Sequence, residues 1–493
     1  MRRWVPIMVM GVMLISADAA AQKITRGPYL QWVTASSIYV VWDQDKASAP
    51  EVRYGATTKY GKKTDATKSG THHEVKLSGL TAGAGYHYAV YNGATKLSAD
   101  STFKTAVASG KPFRFVVLGD TRSQPTQHKA VVTAMAKEPG VRFFINTGDL
   151  VSSGEVSKQW DEFFKIEAGP LSRLPLFSVI GNHDEKSGKA TNYLKLFVLP
   201  TNSKDPEEYY SFDYGNAHFI VLDGHVNLGN QVLCAIKLAL KGQIGGVCFS
   251  DKQEQWILND LKAAAANPKI DHTFVFVHAG PYSSKPGRTG NAQMRAMLPD
   301  FKKYKVTMIF SGHDHYYEHG ISGNGIPYVI TGGGGAPLYT LGAPSISPHK
   351  VIYNKATYHY TVVDIDGKYI KFTVRTPSGT KLEQFALGKP PQPKPDASLP
   401  KDSGVDLPTT PDMKASADKP QSPDQQSPAK DGAPAADTRT PDAGVKDGPT
   451  AGADGGAAPP PADEGCSCET TGGGGPALAS LLLLVLWWRR RRA

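Results

Sequence analysis

The feature that most restricts what this chain can become is a series of short apolar runs, each ending in a polar cluster. Residues 113–118, 142–146, 176–180, 218–222, 273–277 and 307–310 are dominated by Val, Ile, Phe and Leu. Runs of this length with little alternation read as strands covered on both faces, the condition of a sheet inside an α/β domain. Helical stretches lie between some of them, as an α/β architecture requires. The clearest begins at Ser250, which has capping-box spacing to Gln253 ahead of Trp256, Ile257 and Leu261. Ligands gather beyond the carboxyl ends of strands in such sheets, so the polar clusters are where chemistry should be sought.

The segment before these runs has a different texture. From about Lys23 to Thr105 short alternating runs recur at 37–42, 51–54, 73–77 and 86–91, separated by turn residues. That pattern predicts a small antiparallel sandwich. It holds no set of residues suited to catalysis, so a structural or positioning role is expected. Beyond Gly388 the chain is rich in Pro, Asp, Lys, Ala and Ser with almost no aromatics before Glu464. Such a stretch cannot bury enough apolar surface to offset its ordering entropy, which predicts a disordered stalk. A length of 493 residues accommodates two folded domains plus tails.

The ends read as export signals. Arg2 and Arg3 precede a largely apolar stretch at 4–15, and Ala19, Ala20 and Ala21 offer an A-x-A cleavage site. Export predicts an exported protein, attached to the cell surface or outer membrane or else secreted, and folding in an oxidising compartment. There Cys234 and Cys248 could close a loop as a disulfide; two unpaired thiols are the alternative. At the other end come Cys466, Cys468, glycines at 472–475, an apolar run at 476–488 and arginines at 489–492. The run is short for a stable span, but the arginines would hold its end at the cytoplasmic face. Much of the formal charge of +10 sits in these terminal arginines, and no basic stripe is interleaved with aromatics, so no nucleic-acid binding is expected.

The polar clusters are Gly119-Asp120-Thr121-Arg122, Gly148-Asp149-Leu150-Val151, Gly181-Asn182-His183-Asp184, His278, and Gly312-His313-Asp314-His315. Any one alone reads as a turn or a satisfied loop residue. Together they offer carboxylate, carboxamide and imidazole donors at one sheet edge. Two metal ions roughly 3.5–4 Å apart need a bridging anion, which an Asp supplies. Imidazole with carboxylate suits Zn, Fe or Mn. The adjacent glycines let backbone approach closely, and His313 and His315, two apart, can turn to different ions.

The order D, GD, GNH, H, GHxH resembles the calcineurin-like metallophosphoesterase superfamily, which includes the purple acid phosphatases, over roughly Phe113 to Leu387. GPYLQ at Gly27 and LSGLTAGAGYHYAV at Leu77 resemble the fibronectin type III-like N-terminal domain of purple acid phosphatases. SFDYGNAHFIVLD at Ser211 and TGGGGAPLY at Thr331 are similar to the same family. The resemblance implies a fibronectin III-like β-sandwich followed by an α/β domain of two facing mixed sheets flanked by helices. The resulting division is a signal peptide at 1–21, the sandwich at 22–107, the metallophosphoesterase domain at 112–387, the linker at 388–465 and the tail at 466–493. The tail resembles the MYXO-CTERM sorting tag, which implies removal by a processing protease and attachment near Cys466; a plain membrane anchor is the alternative.

Carried over position by position, the resemblance implies that Asp120 and His315 bind one metal and that Asn182, His278 and His313 bind the other. Asp149 would bridge the two ions. His183 resembles the histidine that contacts the phosphoryl group and protonates the leaving oxygen. The implied activity is hydrolysis of phosphate esters, phosphomonoesters first, by a metal-activated hydroxide. A phosphodiesterase or nucleotide hydrolase is the rival among enzymes, and a surface adhesion protein with a decayed catalytic domain is the rival of another class. Two departures stand out. Ser152 occupies the place of the tyrosinate ligand of purple acid phosphatases, and Arg122 the place of a His found in many other members. Arg122 could grip a phosphate oxygen or pair with a carboxylate outside the ligand set. His128 could substitute as a ligand or simply face solvent.

Overall fold

The computed structural model describes residues 22–185, 190–224, 238–239, 249–343, 346 and 349–391. The leader, Cys234, Cys248, the linker from 392 onward and the tail with Cys466 lie outside the described residues.

The early alternating runs become eight strands: β1 (Ile24–Gln31), β2 (Ser37–Ser48), β3 (Glu51–Gly55), β4 (Lys62–Asp65), β5 (Gly70–Ser78), β6 (Gly85–Asn92), β7 (Thr95–Lys96) and β8 (Ser101–Lys104). One sheet has the order β1-β2-β5. The other has the order β4-β3-β6-β7, with β8 pairing β6. All pairings are antiparallel. Alternation puts Ile38, Val40, Trp42, Val75, Leu77, Tyr88, Val90 and Phe103 into a shared core.

The six apolar runs after residue 112 become β9 (Phe113–Leu118), β10 (Val141–Asn146), β11 (Leu176–Ser178), β13 (Ala217–Leu222), β14 (His272–Ala279) and β15 (Met308–Gly312), with β12 (Tyr210–Tyr214) added before β13. Six further strands follow: β16 (Tyr317–Ser322), β17 (Pro327–Thr331), β18 (His349–Lys355), β19 (Tyr360–Asp366), β20 (Tyr369–Arg375) and β21 (Lys381–Leu387). They form two mixed sheets, of order β11-β10-β9-β19-β20-β21 and β12-β13-β14-β15-β17-β16-β18. The last three strands return to pair antiparallel beside β9 and complete its sheet. Aromatic rings fill the space between the sheets. Phe115 stacks on its neighbour Phe143 at 5.2 Å and meets Phe219 of the opposite sheet edge-on at 5.3 Å.

The described helices are α1 (Pro125–Met135), α2 (Ser157–Leu171), α3 (Thr191–Leu196), α4 (Asp251–Ala266) and α5 (Ala292–Lys303). The box expected at α4 is half made. Ser250 Oγ accepts from the Gln253 amide at 3.1 Å, but the Gln253 carboxamide turns away to both backbone groups of Asp223. That pair satisfies both backbone groups of the residue that follows β13, a stronger demand than the reciprocal cap.

The two domains share one apolar core. Tyr29 Oη donates to the Leu196 carbonyl at 2.6 Å, and Tyr88 Oη and Ser101 Oγ both donate to the Ser172 carbonyl. The C-terminal ends of α2 and α3 are thus held from the N-terminal domain.

Candidate metal centre

Strands β9 and β10 are parallel, with Asn146 opposite Leu118, so the loops leaving them emerge side by side. That places Asp120 next to Asp149; the Asp120 amide donates to the Gly148 carbonyl at 2.9 Å. In the other sheet β14 and β15 are also parallel, with Ala279 opposite Gly312, which brings His278 beside the 313–315 turn. Asp120, Asp149 and His313 have φ of 57°, 56° and 66°. Left-handed backbone at residues bearing a Cβ costs roughly 1–3 kcal/mol each and persists where function demands it. Two glycines make the approach feasible. A Cβ on Gly181 would lie 2.2 Å from the Asp149 amide and Oδ1, and one on Gly148 would lie 2.6 Å from His278 Nδ1.

The donors converge. Ligand atoms of buried Asp120, Asp149 and His315 lie within 4.8 Å of one another. His315 Nδ1 donates to the Pro337 carbonyl at 2.7 Å, which leaves Nε2 facing Asp120 Oδ1 at 3.4 Å. His278 Nδ1 likewise donates to the Thr147 carbonyl at 2.8 Å and turns Nε2 inward. That nitrogen is 3.2 Å from Asp149 Oδ1 and 3.3 Å from His313 Nδ1. A ring nitrogen fixed in this way by a carbonyl behind it is how ligating histidines are held. Asn182 Oδ1 is buried with no hydrogen-bond partner, which a neutral acceptor tolerates only if something electropositive meets it. Burial alone would push the His278 imidazole down. Asp149 and Asp120 overcome that and hold it up to about 9, so the pocket favours positive charge at that nitrogen. The donor set therefore fits metal ions.

Sequence reasoning assigned no role to Asp184, yet it organises the site. Its carboxylate accepts from the amides of Asp149 (2.8 Å), Leu150 (2.9 Å), Val151 (3.2 Å) and Gly181 (2.9 Å). One buried side chain thereby ties two of the ligand loops together. Its only sequence signal is adjacency to Asn182 and His183.

The comparisons decide the kinship. Residues 113–317 match the calcineurin-like phosphoesterase family model and residues 25–105 match the purple acid phosphatase N-terminal domain. The chain carries a calcineurin-like phosphoesterase domain. It is similar to an uncharacterised protein of Mycobacterium tuberculosis, 24% identical over 274 residues, covering 49% of each chain. It also resembles tartrate-resistant acid phosphatase type 5 of Rattus norvegicus, 24% identical, covering 58% of this chain and 93% of that one. The fold is that of a purple acid phosphatase from yellow lupin, with TM-score 0.60, 19% identity, and coverage of 73% of this chain and 74% of the other. The chain spans about half the length of the first mycobacterial relatives.

Around the ligands, the phosphoesterase domain has its own features. Arg122 is nearly buried and its Nε donates to Asp149 Oδ2 at 3.1 Å, with Nη1 to Ser123 Oγ at 3.0 Å. Arg122 thus pairs with the carboxylate proposed to bridge, rather than with a carboxylate outside the ligand set, the expected alternative. Ser152 hydrogen-bonds Ser123 through its hydroxyl, at 2.9 Å. Both expectations for His128 need correction. It is 2% exposed, pairs with buried Glu167 of α2 at 2.9 Å and stacks on Phe163, because α1 packs that face onto α2 rather than onto the site or solvent. His183 Nδ1 donates to the Ser152 carbonyl at 2.8 Å, and its Nε2 lies 4.0 Å from Asp149 Oδ2. Burial lowers its pKa, with Asp149 pulling the other way. A cavity of about 200 Å³ opens beside Arg122, Ser152 and Phe163. The larger hollow of about 730 Å³ lies between α1 and the 375–379 turn and contains none of these residues.

Proposed function

We propose that this chain is a metal-dependent phosphoric ester hydrolase acting on phosphomonoesters outside the cytoplasm. The observation that carries the reading is the convergence of the His278 and His313 ring nitrogens on each other and of His278 Nε2 on the Asp149 carboxylate, together with a buried, unpartnered Asn182 Oδ1 in the 181–184 turn. Asp120, Asp149 and His315 would hold one ion, and Asp149, Asn182, His278 and His313 a second. Such a pair would supply Lewis acidity at the phosphoryl oxygens and acidify water beside them.

The protein's own groups do the rest. Asp149 presents one oxygen toward His278, while Arg122 holds the other. His183 is oriented by the Ser152 carbonyl so that Nε2 is the nitrogen available to the reacting group. In its doubly protonated form, which Asp149 favours against burial, Nε2 can give its proton to the departing alcohol oxygen. The leader at the N-terminus and the tag-like C-terminus support action outside the cytoplasm, which mass measurement of the mature ends would check.

The test is metal analysis of the purified chain together with turnover of an aryl phosphate after reconstitution with Zn, Mn or Fe. Asp149→Asn should lower metal at both positions and abolish turnover. His183→Ala should keep the metal and lose at least about a hundredfold in kcat, the usual contribution of a general acid. A folded protein with no metal affinity would end this reading and favour a binding role.

A further inference from the structure

Next to the proposed metal ligands stands a lysine that forms no ion pair among the described residues; Asp314 acts on it only from a distance and is itself bonded to Arg288. Lys285 follows β14 in the loop at 280–291, and its Nζ lies 3.7 Å from the centroid of the Tyr339 ring. Tyr339 in turn stacks on His315, centroids 4.0 Å apart and planes inclined by 20°. Two groups this close to one centroid cannot share a face of the ring. The order is therefore imidazole, phenol ring, ammonium, and Lys285 sits two stacking layers from a proposed metal ligand.

The arrangement is built rather than incidental. The Tyr339 amide donates to the His315 carbonyl at 3.1 Å, and the Gly342 amide donates to the Ser284 carbonyl at 2.7 Å, tying the two loops together. The Lys285 amide is held by Ser283 Oγ at 3.1 Å. The other cation of the loop, Arg288, is already committed to Asp314 Oδ1 at 2.6 Å and to the His313 carbonyl. Among the described residues no carboxylate pairs with Lys285. The residue is partly buried, so the ammonium has given up part of its water, and the Tyr339 face returns only part of that cost. An anion would supply the remainder, and Lys serves as a point charge that accepts many anion geometries.

We propose that Lys285, seated on Tyr339, forms a subsite for a second anionic group carried by the phosphate ester, a carboxylate or another phosphate. The proposal rests on the phosphoesterase reading and specifies which esters it prefers. The bland alternative is that Lys285 only lays its aliphatic stem over the ring.

The experiment compares kcat/KM for carboxyphenyl phosphate, a phenolic bisphosphate and phenyl phosphate on the full metal-loaded chain. The wild type should favour the two esters that carry the extra anion. Lys285→Met keeps the stem and removes the charge; it should lower the preference ratio about tenfold, chiefly through KM, while Lys285→Arg keeps most of it. Which of the two doubly anionic esters loses more in Lys285→Met identifies the anion. A ratio that Lys285→Met leaves unchanged would sink the subsite, and the stem-packing role would stand. A wild type that hydrolyses none of the esters would remove the phosphoesterase reading itself, and the subsite with it.

Discussion

The residue that best shows how this site is held is Asp184, which touches no proposed ion. Four backbone amides from two loops point at its carboxylate. Asp184→Asn presents an NH₂ to donors that need an acceptor, and one buried unsatisfied donor costs about 1–3 kcal/mol. Thermal unfolding should therefore register a clear loss of stability, accompanied by lower metal content as the Asp149 and Asn182 loops separate. Unchanged values of both would contradict the organising role. Arg122 supports a second expectation. Its guanidinium donates to the Asp149 carboxylate, so it would compete with a metal ion for that group. Arg122→His removes the competing charge and adds an imidazole. Metal retained through gel filtration should rise, and a fall would show that Arg122 supports the centre instead. The sequence pointed to the ligand types, yet neither contact was legible there. Which carboxylate a guanidinium reaches depends on loops that are 27 residues apart in the chain.

At the scale of elements, the apolar runs marked six strands of the two mixed sheets within a residue or two, and left β12 and β16 to β21 unmarked. A fully buried strand leaves a continuous hydrophobic signature. Helix detail was less legible, because caps compete with tertiary partners. Gln253 left its box for Asp223, yet Ser250 still caps α4. Ser250→Ala should cost about 1 kcal/mol of stability, measurable by denaturant titration. Gly181 is the tighter constraint at the strand-loop junctions. With a Cβ there only 2.2 Å from Asp149, Gly181→Ala should expel metal even in protein that still folds. Retention of full metal by that variant would show that the loop yields more readily than its contacts suggest.

For the whole molecule, the N-terminal sandwich and the phosphoesterase domain share a continuous core and buried hydrogen bonds at Tyr29 and Tyr88. Calorimetry should accordingly show the two melting in one transition, which resolved peaks would contradict. Tyr88→Phe leaves the Ser172 carbonyl only the Ser101 hydroxyl and should cost about 1 kcal/mol without changing the ligand set. The coarse two-domain order was legible from the change in texture near residue 112. The mutual packing was not, because nothing in an alternating run says which neighbour it will cover.

By itself the sequence determined the kinds of donor available to this protein, since Asp, Asn and His recur in the clusters at the strand ends, and it determined the alternation of strands and helices that puts those ends together. The tertiary structure decided what each donor faces. It turned His128 onto Glu167, set Arg122 on Asp149, made Asp184 the tie between loops and seated Lys285 on Tyr339. The physical reason is one of range. Hydrophobic periodicity acts over a handful of neighbouring residues. The partner of a polar side chain is chosen by sheet register and loop closure, which join segments far apart in the chain.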